Sequence, residues 1–279
     1  MGCGERCHYA QSVEYTEYAR RLLSSSSSVA EVAEYGRVME AGKEYPLFRL
    51  TVPGSRWLVI TSGFHGEEPA GPLTLAENFG EIAAYARARD VGLRVYPCIN
   101  PSGFEVGTRY NRSGERPNND FLRYEVAPGT WKGELARGES FLRWVLYDGG
   151  PKETRAVRGD IDRFSPPEAA LDIHQDNYLS IAATYAYTFG DSAAYRPLME
   201  AAAKHVAVIR NQRVDEHHVT DSDGLIASHD GSVTDYFTRK GVPYTAALET
   251  TTRTPLDSCH AVNLIWIRGF IELAARRGA

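Results

Sequence analysis

Cysteine is scarce, with four residues (Cys3, Cys7, Cys98 and Cys259) in a chain of 279. That is too few for a disulfide framework and points to a reducing, cytoplasmic compartment. No apolar run approaches the ~18 residues a membrane span needs. The opening MGCGERCHYA lacks the apolar segment of a secretory signal. Arg6 stands where a myristoylation pattern needs Ser or Thr. A basic excess is also missing: 31 Lys and Arg stand against 36 Asp and Glu, a net charge of −5. No nucleic-acid or membrane partner is therefore expected. Gly (25) and Pro (14) are too few for a collagen-like or low-complexity chain. No internal repeat is visible, and the one low-complexity run is Ser24 to Ser28. It reads as a short linker after an N-terminal helix, within one domain spanning 1–279.

What is present is an alternation of strand and helix signals. A helix is expected over Ser12 to Leu23. Two β-like stretches, Val32 to Met39 and Tyr45 to Val52, flank the turn Ala-Gly-Lys-Glu. Arg56 to Ser62 (RWLVITS) has the continuous apolar character of a buried strand. A helix over Pro72 to Ala88 and a strand over Gly92 to Cys98 complete a βαβ unit. These signals predict a three-layer α/β/α fold with a central, mostly parallel mixed sheet. Further strands are expected at Ala169 to Ile173, Ile181 to Phe189 and Val242 to Leu248. Helices are expected near Glu139 to Tyr147, over Ala193 to Val208, and over Asp257 to Arg277 with Asp257 as N-cap. The polar stretch from Asn100 to Gly138 reads as a long functional loop.

Ligands of open α/β sheets bind beyond the carboxyl ends of the strands. His65 and Glu68 follow the first buried strand, Asn100 follows the next, His174 follows Ala169 to Ile173, and Glu249 follows Val242 to Leu248. A hydrolytic zinc takes three His or carboxylate ligands and leaves a position for water. His65, Glu68 and His174 are that set, for one Zn(2+) per chain. Only the spacing of three residues favours Glu68 over Glu67. A separate carboxylate must take the water's proton, and Glu249 is the candidate. Asp172, two residues before His174 on a strand, faces the same side and would steady that ligand. His-x-x-Glu alone is a weak signal; the ordered set is specific. Arg109, Arg112, Arg116 and Arg123 together suggest an anionic substrate. Cys3, Cys7 and His8 read as a terminal tail, and His217-His218 as an exposed connection.

These residues resemble the zinc carboxypeptidase superfamily, including its short aspartoacylase and succinylglutamate desuccinylase relatives. The matching pieces are Gly63-Phe64-His65-Gly66-Glu67-Glu68, Asn100-Pro101-Ser102-Gly103-Phe104, Thr108-Arg109, Asp172-Ile173-His174, Gly231-Ser232 and Ala247-Leu248-Glu249. The resemblance implies zinc at His65, Glu68 and His174, with Glu249 as base. It also implies an oxyanion-stabilising arginine, which by position is Arg109, with Arg112 and Arg116 as rivals. The family's Asn-Arg clamp for a substrate carboxylate falls on Asn118 and Asn119, so an amide stands where a guanidinium is expected. Arg112 or Arg253 are candidate replacement cations. No tyrosine precedes Gly231-Ser232 where carboxypeptidases carry one. The expected function is metal-dependent hydrolysis of an amide bond in a peptide or modified amino acid. The alternatives are an N-acyl amino acid deacylase and a metal-binding homologue without turnover.

Overall fold

A computed structural model describes residues 14–136 and 138–276. Cys3, Cys7, His8 and Arg277 lie outside them. Helix α1 (Tyr15–Ser26) absorbs three of the five serines, so the expected linker is largely helix. Strands β1 (Glu31–Glu40) and β2 (Lys43–Val52) form the expected hairpin, turning at Ala41 and Gly42. Then come β3 (Arg56–Ser62), α2 (Ala70–Arg87), β4 (Val91–Tyr96) and α3 (Pro101–Val106). Asn100 caps α3, its side chain accepting from the Gly103 amide at 2.9 Å.

The polar stretch is more ordered than expected. Strands β5 (Leu122–Ala127), β6 (Thr130–Lys132) and β7 (Arg143–Leu146) form a small antiparallel sheet. The expected helix near Glu139 to Tyr147 is therefore a correction: Arg143-Trp144-Val145-Leu146 pairs with β5, as its aromatic and β-branched residues favour. Helix α4 (Lys152–Ile161) leads into β8 (Ala169–Asp176) and β9 (Ala183–Phe189). The expected long helix over Ala193 to Val208 is broken. A 3₁₀ turn at Ser192–Ala194 precedes α5 (Arg196–Ala202), and β10 (Ala207–Val208) joins the sheet edge. The chain closes with β11 (Leu225–Ile226), α6 (Val233–Arg239), β12 (Tyr244–Thr251) and α7 (Leu256–Ala275). Pro255, not Asp257, flanks the start of α7, and Asp257 sits in its first turn.

The main sheet runs β1-β2-β4-β3-β8-β12-β9-β10, with β11 also on β9. Its centre, β4-β3-β8-β12, is parallel, while β2 and β9 join antiparallel. Period-two alternation divides the strands between two cores. Leu58, Ile60, Leu171, Ile173, Ala246 and Leu248 pack with α1, α2 and α7. Val59 and Ala170 pack on the opposite face with Val157 and Ile161 of α4 and Val233, Tyr236 and Phe237 of α6. That is the expected three-layer arrangement. The alternation sends Asp172, His174, Ala247 and Glu249 to the second face, and the β8–β12 register sets Glu249 beside His174. Among the described residues, no helix is long and apolar enough to cross a membrane.

Candidate metal centre

The turn after β3 holds the first two ligand candidates. Gly66 fits there because a Cβ would meet the Gly103 carbonyl carbon at 1.9 Å. Only glycine lets the loop of His65 and Glu68 lie against the loop of Asn100 and Gly103. The Asn100 side chain locks the pair, its amide donating to the Phe64 carbonyl at 3.1 Å.

His65, Glu68 and His174 converge with one candidate ligand atom each inside a 4.8 Å sphere of mutual distance, and all three are buried. The Nδ1 atoms of both imidazoles face Glu68, at 2.7 Å from Oε1 for His65 and 2.7 Å from Oε2 for His174. Behind His174, Asp172 Oδ2 lies 2.6 Å from Nε2, and Asp172 Oδ1 accepts from the Thr61 hydroxyl at 2.8 Å. Phe64 stacks on the His174 ring. The Nε2 of His65 is buried with no hydrogen-bond partner among the described residues.

Electrostatics follow from enclosure. Burial pushes His65 down to about 4, against the pull of Glu68. Burial also opposes charge on His174, but Asp172 and Glu68 outweigh it and hold its pKa well above the ordinary value. Burial likewise opposes ionisation of Glu68, and the two histidines reverse it, so Glu68 remains a carboxylate. Two imidazoles and a carboxylate around one point are a borderline-soft N/O donor set suited to zinc. The convergence of both Nδ1 atoms on the Glu68 carboxylate and the mutual neutralisation of these groups fit a divalent cation among them.

Glu67 is directed elsewhere. It accepts from Arg109 at 3.2 Å and from Asn177 at 3.3 Å, and burial raises it to about 7. Arg109 also reaches Glu68 Oε1 at 3.1 Å, so its guanidinium borders the cluster. Glu249 Oε2 is enclosed with no hydrogen-bond partner among the described residues, and burial raises this carboxyl well above its usual range. His65, Glu68, His174, Arg109 and Glu249 line one cavity of about 430 Å³.

The remaining expectations divide. Asn118 lies 3.2 Å from His174 Nε2 and accepts from the Val233 amide at 3.2 Å. Asn119 accepts from Arg116 at 2.8 Å and donates to Asp230 at 2.9 Å, and all three line the cavity. Arg112 is a correction: it is exposed, its guanidinium 3.5 Å from Glu105, and it does not line the cavity. Arg253 is exposed and outside the lining as well. Arg123 pairs with Asp120 and stacks on Tyr147. Only two of the four loop arginines thus face the cavity, where Glu134, Asp215, Glu216 and Asp230 also stand, so the charge count no longer favours an anionic substrate.

Sequence reading missed Tyr178, Tyr185 and Tyr187, which line the cavity although no tyrosine precedes Gly231. Tyr178 precedes β9, and Tyr185 and Tyr187 lie in it, where the β9–β12 pairing sets Tyr185 opposite Glu249. His217 and His218 also line the cavity, and the His218 side chain is only 17% exposed, not a free surface group.

No family model matches the sequence. The chain is 28% identical over 172 residues to carboxypeptidase 2 of Trichophyton rubrum, covering 57% of this chain and 27% of that protein. It is 27% identical over 228 residues to the protein named probable carboxypeptidase 2 of Trichophyton verrucosum, covering 77% and 37%. The chain thus spans 27% and 37% of these relatives' lengths. A candidate metallopeptidase from Shewanella amazonensis superimposes with a TM-score of 0.71 at 22% identity, covering 94% of each chain. Bovine thrombin-activatable fibrinolysis inhibitor does so with a TM-score of 0.63 at 14% identity, covering 96% and 97%. The fold is that of the metallocarboxypeptidases. The resemblance to the zinc carboxypeptidase superfamily, first read from short motifs, extends over most of the chain.

Proposed function

We propose that the chain is a zinc-dependent, carboxypeptidase-like amide hydrolase. The convergence of both Nδ1 atoms on the Glu68 carboxylate, beside a Glu249 whose Oε2 has no hydrogen-bond partner among the described residues, carries this reading. His65, Glu68 and His174 would hold one ion. When bound, zinc polarises a scissile carbonyl and lowers the pKa of a bound water toward neutrality. The chain's own residues do the rest. Asp172 accepts the Nε2 proton of His174, which leaves the Nδ1 lone pair free to coordinate. Glu249 has an unclaimed oxygen in the cavity, so it receives the water's proton and passes it to the leaving amine. Its burial raises the carboxyl well above its usual range, which favours the step in which it gives the proton to the leaving amine. Arg109 presents positive charge beside the cluster to the developing oxyanion.

The carboxylate clamp takes a rearranged form in this reading. Asn119 does not bind substrate as a cation; its amide holds Arg116, and Asp230 holds Asn119. Arg116 is the group that meets a substrate's free carboxylate, and Asn118 steadies the wall behind it. A small peptide is the substrate class that fits a free-carboxylate clamp. The low cysteine content supports a reducing, cytoplasmic setting for the enzyme.

A hydrolysis screen with added zinc tests this. Peptides with free C-termini should be cleaved, and amidated peptides should not. Cleavage of both alike would remove the carboxypeptidase assignment. Turnover of N-acyl amino acids alone would favour the deacylase. His65→Ala should lose metal and activity together, and an absence of stoichiometric metal in the wild-type protein would remove the site.

A further inference from the structure

The wall of the cavity away from the metal cluster carries a second ordered constellation. Asp215 Oδ2 lies 2.8 Å from His218 Nδ1, and His218 Nε2 lies 2.8 Å from Ser228 Oγ. All three side chains line the cavity. Asp215 is fixed from its other oxygen, which accepts from the backbone amides of His217 at 2.7 Å and His218 at 2.8 Å. Burial opposes its ionisation, but His218 and these amides reverse that, so it remains a carboxylate. The Tyr187 ring meets the His218 ring edge-on at 5.3 Å and restricts its rotation.

With Nδ1–H donating to Asp215, the imidazole presents the Nε2 lone pair to the Ser228 hydroxyl. Nucleophile, base and orienting carboxylate thus stand in hydrogen-bond sequence, the arrangement that activates a serine wherever it occurs. Arg116 lines the same cavity and supplies positive charge to it. A purely structural role explains the geometry poorly. The two amides occupy only Asp215 Oδ1 and leave Oδ2 to His218 and, at 3.5 Å, the Tyr187 hydroxyl, and Ser228 sits partly exposed at a cavity wall, not in the packed core.

We infer that Ser228, His218 and Asp215 form a second, metal-independent nucleophilic site that accepts acyl groups from small carboxylic esters. Ser228 Oγ attacks the ester carbonyl carbon while its proton passes to His218 Nε2. The bond from carbonyl carbon to alkoxy oxygen breaks, and the alcohol leaves with that proton. Water then attacks the acyl-serine, giving one proton to His218 Nε2. The carboxylic acid departs as that proton returns to Ser228 Oγ.

The test uses the full chain as purified and the same protein after chelator treatment. Each is incubated with p-nitrophenyl acetate and, separately, with a fluorophosphonate probe, and adducts are located by peptide mass spectrometry. Ester turnover and labelling should be the same with and without chelator, with the adduct on Ser228. Ser228→Ala should abolish labelling. His218→Ala and Asp215→Asn should slow it by about 10²- to 10⁴-fold, the contribution of a positioned general base. The isosteric Asp215→Asn and the small Ser228→Ala keep the fold, so folding failure does not confuse the result. An adduct on another residue, no adduct, or wild-type esterase activity in Ser228→Ala overturns the inference. So does esterase activity lost on chelation and in His65→Ala, which would assign it to the metal centre.

Discussion

Asp172→Asn isolates one charge behind the metal centre. Asp172 is buried, with Oδ2 2.6 Å from His174 Nε2 and Oδ1 2.8 Å from the Thr61 hydroxyl. Asparagine has the same shape. Its carbonyl can keep the bond from the His174 Nε2–H, and its NH₂ then faces Thr61, whose hydroxyl can rotate to accept. No hydrogen bond need be lost, so the substitution removes charge and little else. Without that charge, the imidazole is a weaker donor at Nδ1, and its tautomer is less firmly set. Loss of such an outer carboxylate typically lowers metal affinity 10- to 100-fold, about 1.4 to 2.7 kcal/mol. Competition with a chromogenic chelator measures the zinc Kd of each protein, and Thr61→Val serves as a packing control. An Asp172→Asn Kd within twofold of wild type would refute the claim that Asp172 tunes His174.

Three other outcomes follow from the same geometry. Glu249→Gln should bind zinc as wild type does but lower kcat at least about 100-fold, since a general base contributes that much; zinc titration and peptide kinetics on one preparation check both parts. Gly66→Ala would place a Cβ 1.9 Å from the Gly103 carbonyl carbon and 2.3 Å from its oxygen, forcing the two site loops apart. It should cost about 1 to 3 kcal/mol in urea unfolding and weaken zinc binding; unchanged stability would show that the loops do not depend on this contact. Glu153 is buried, and its pKa is raised by that burial to about 7. A carboxyl whose folded pKa exceeds its unfolded value stabilises the fold below the unfolded pKa and loses that stability as pH rises through the folded one. The chain should therefore lose up to about 3 kcal/mol between about pH 4.5 and 7 from this group. Glu153→Gln should flatten the dependence in denaturation curves at pH 5 and 8.

The fold and the metal cluster were readable to different depths for physical reasons. Arg56 to Ser62 and Ala169 to Ile173 announce central strands because both faces are covered, so apolar residues run without interruption. His65 and Glu68 are readable because a three-residue spacing on one turn is a local property. His174 and Glu249 are readable because a parallel sheet presents the ends of its strands on one side. The β5–β7 sheet was hidden in a polar stretch, since short strands declare themselves only through partners far along the chain. Arg112 and Arg116 look alike in a loop with no period. An ion pair with Glu105 draws one outward, and Asn119 holds the other at the cavity. The same limit concealed His218. Asp215 lies three residues before it and Ser228 ten residues after, so helical or strand spacing does not link the set. Their meeting depends on β11 pairing beside Ala186 and Tyr187 of β9, which carries Ser228 back to the histidine. The register of one two-residue strand therefore sets the second site's geometry, whereas four central strands set that of the metal centre. Loosening β11 should disturb Ser228 while leaving His65, Glu68 and His174 together.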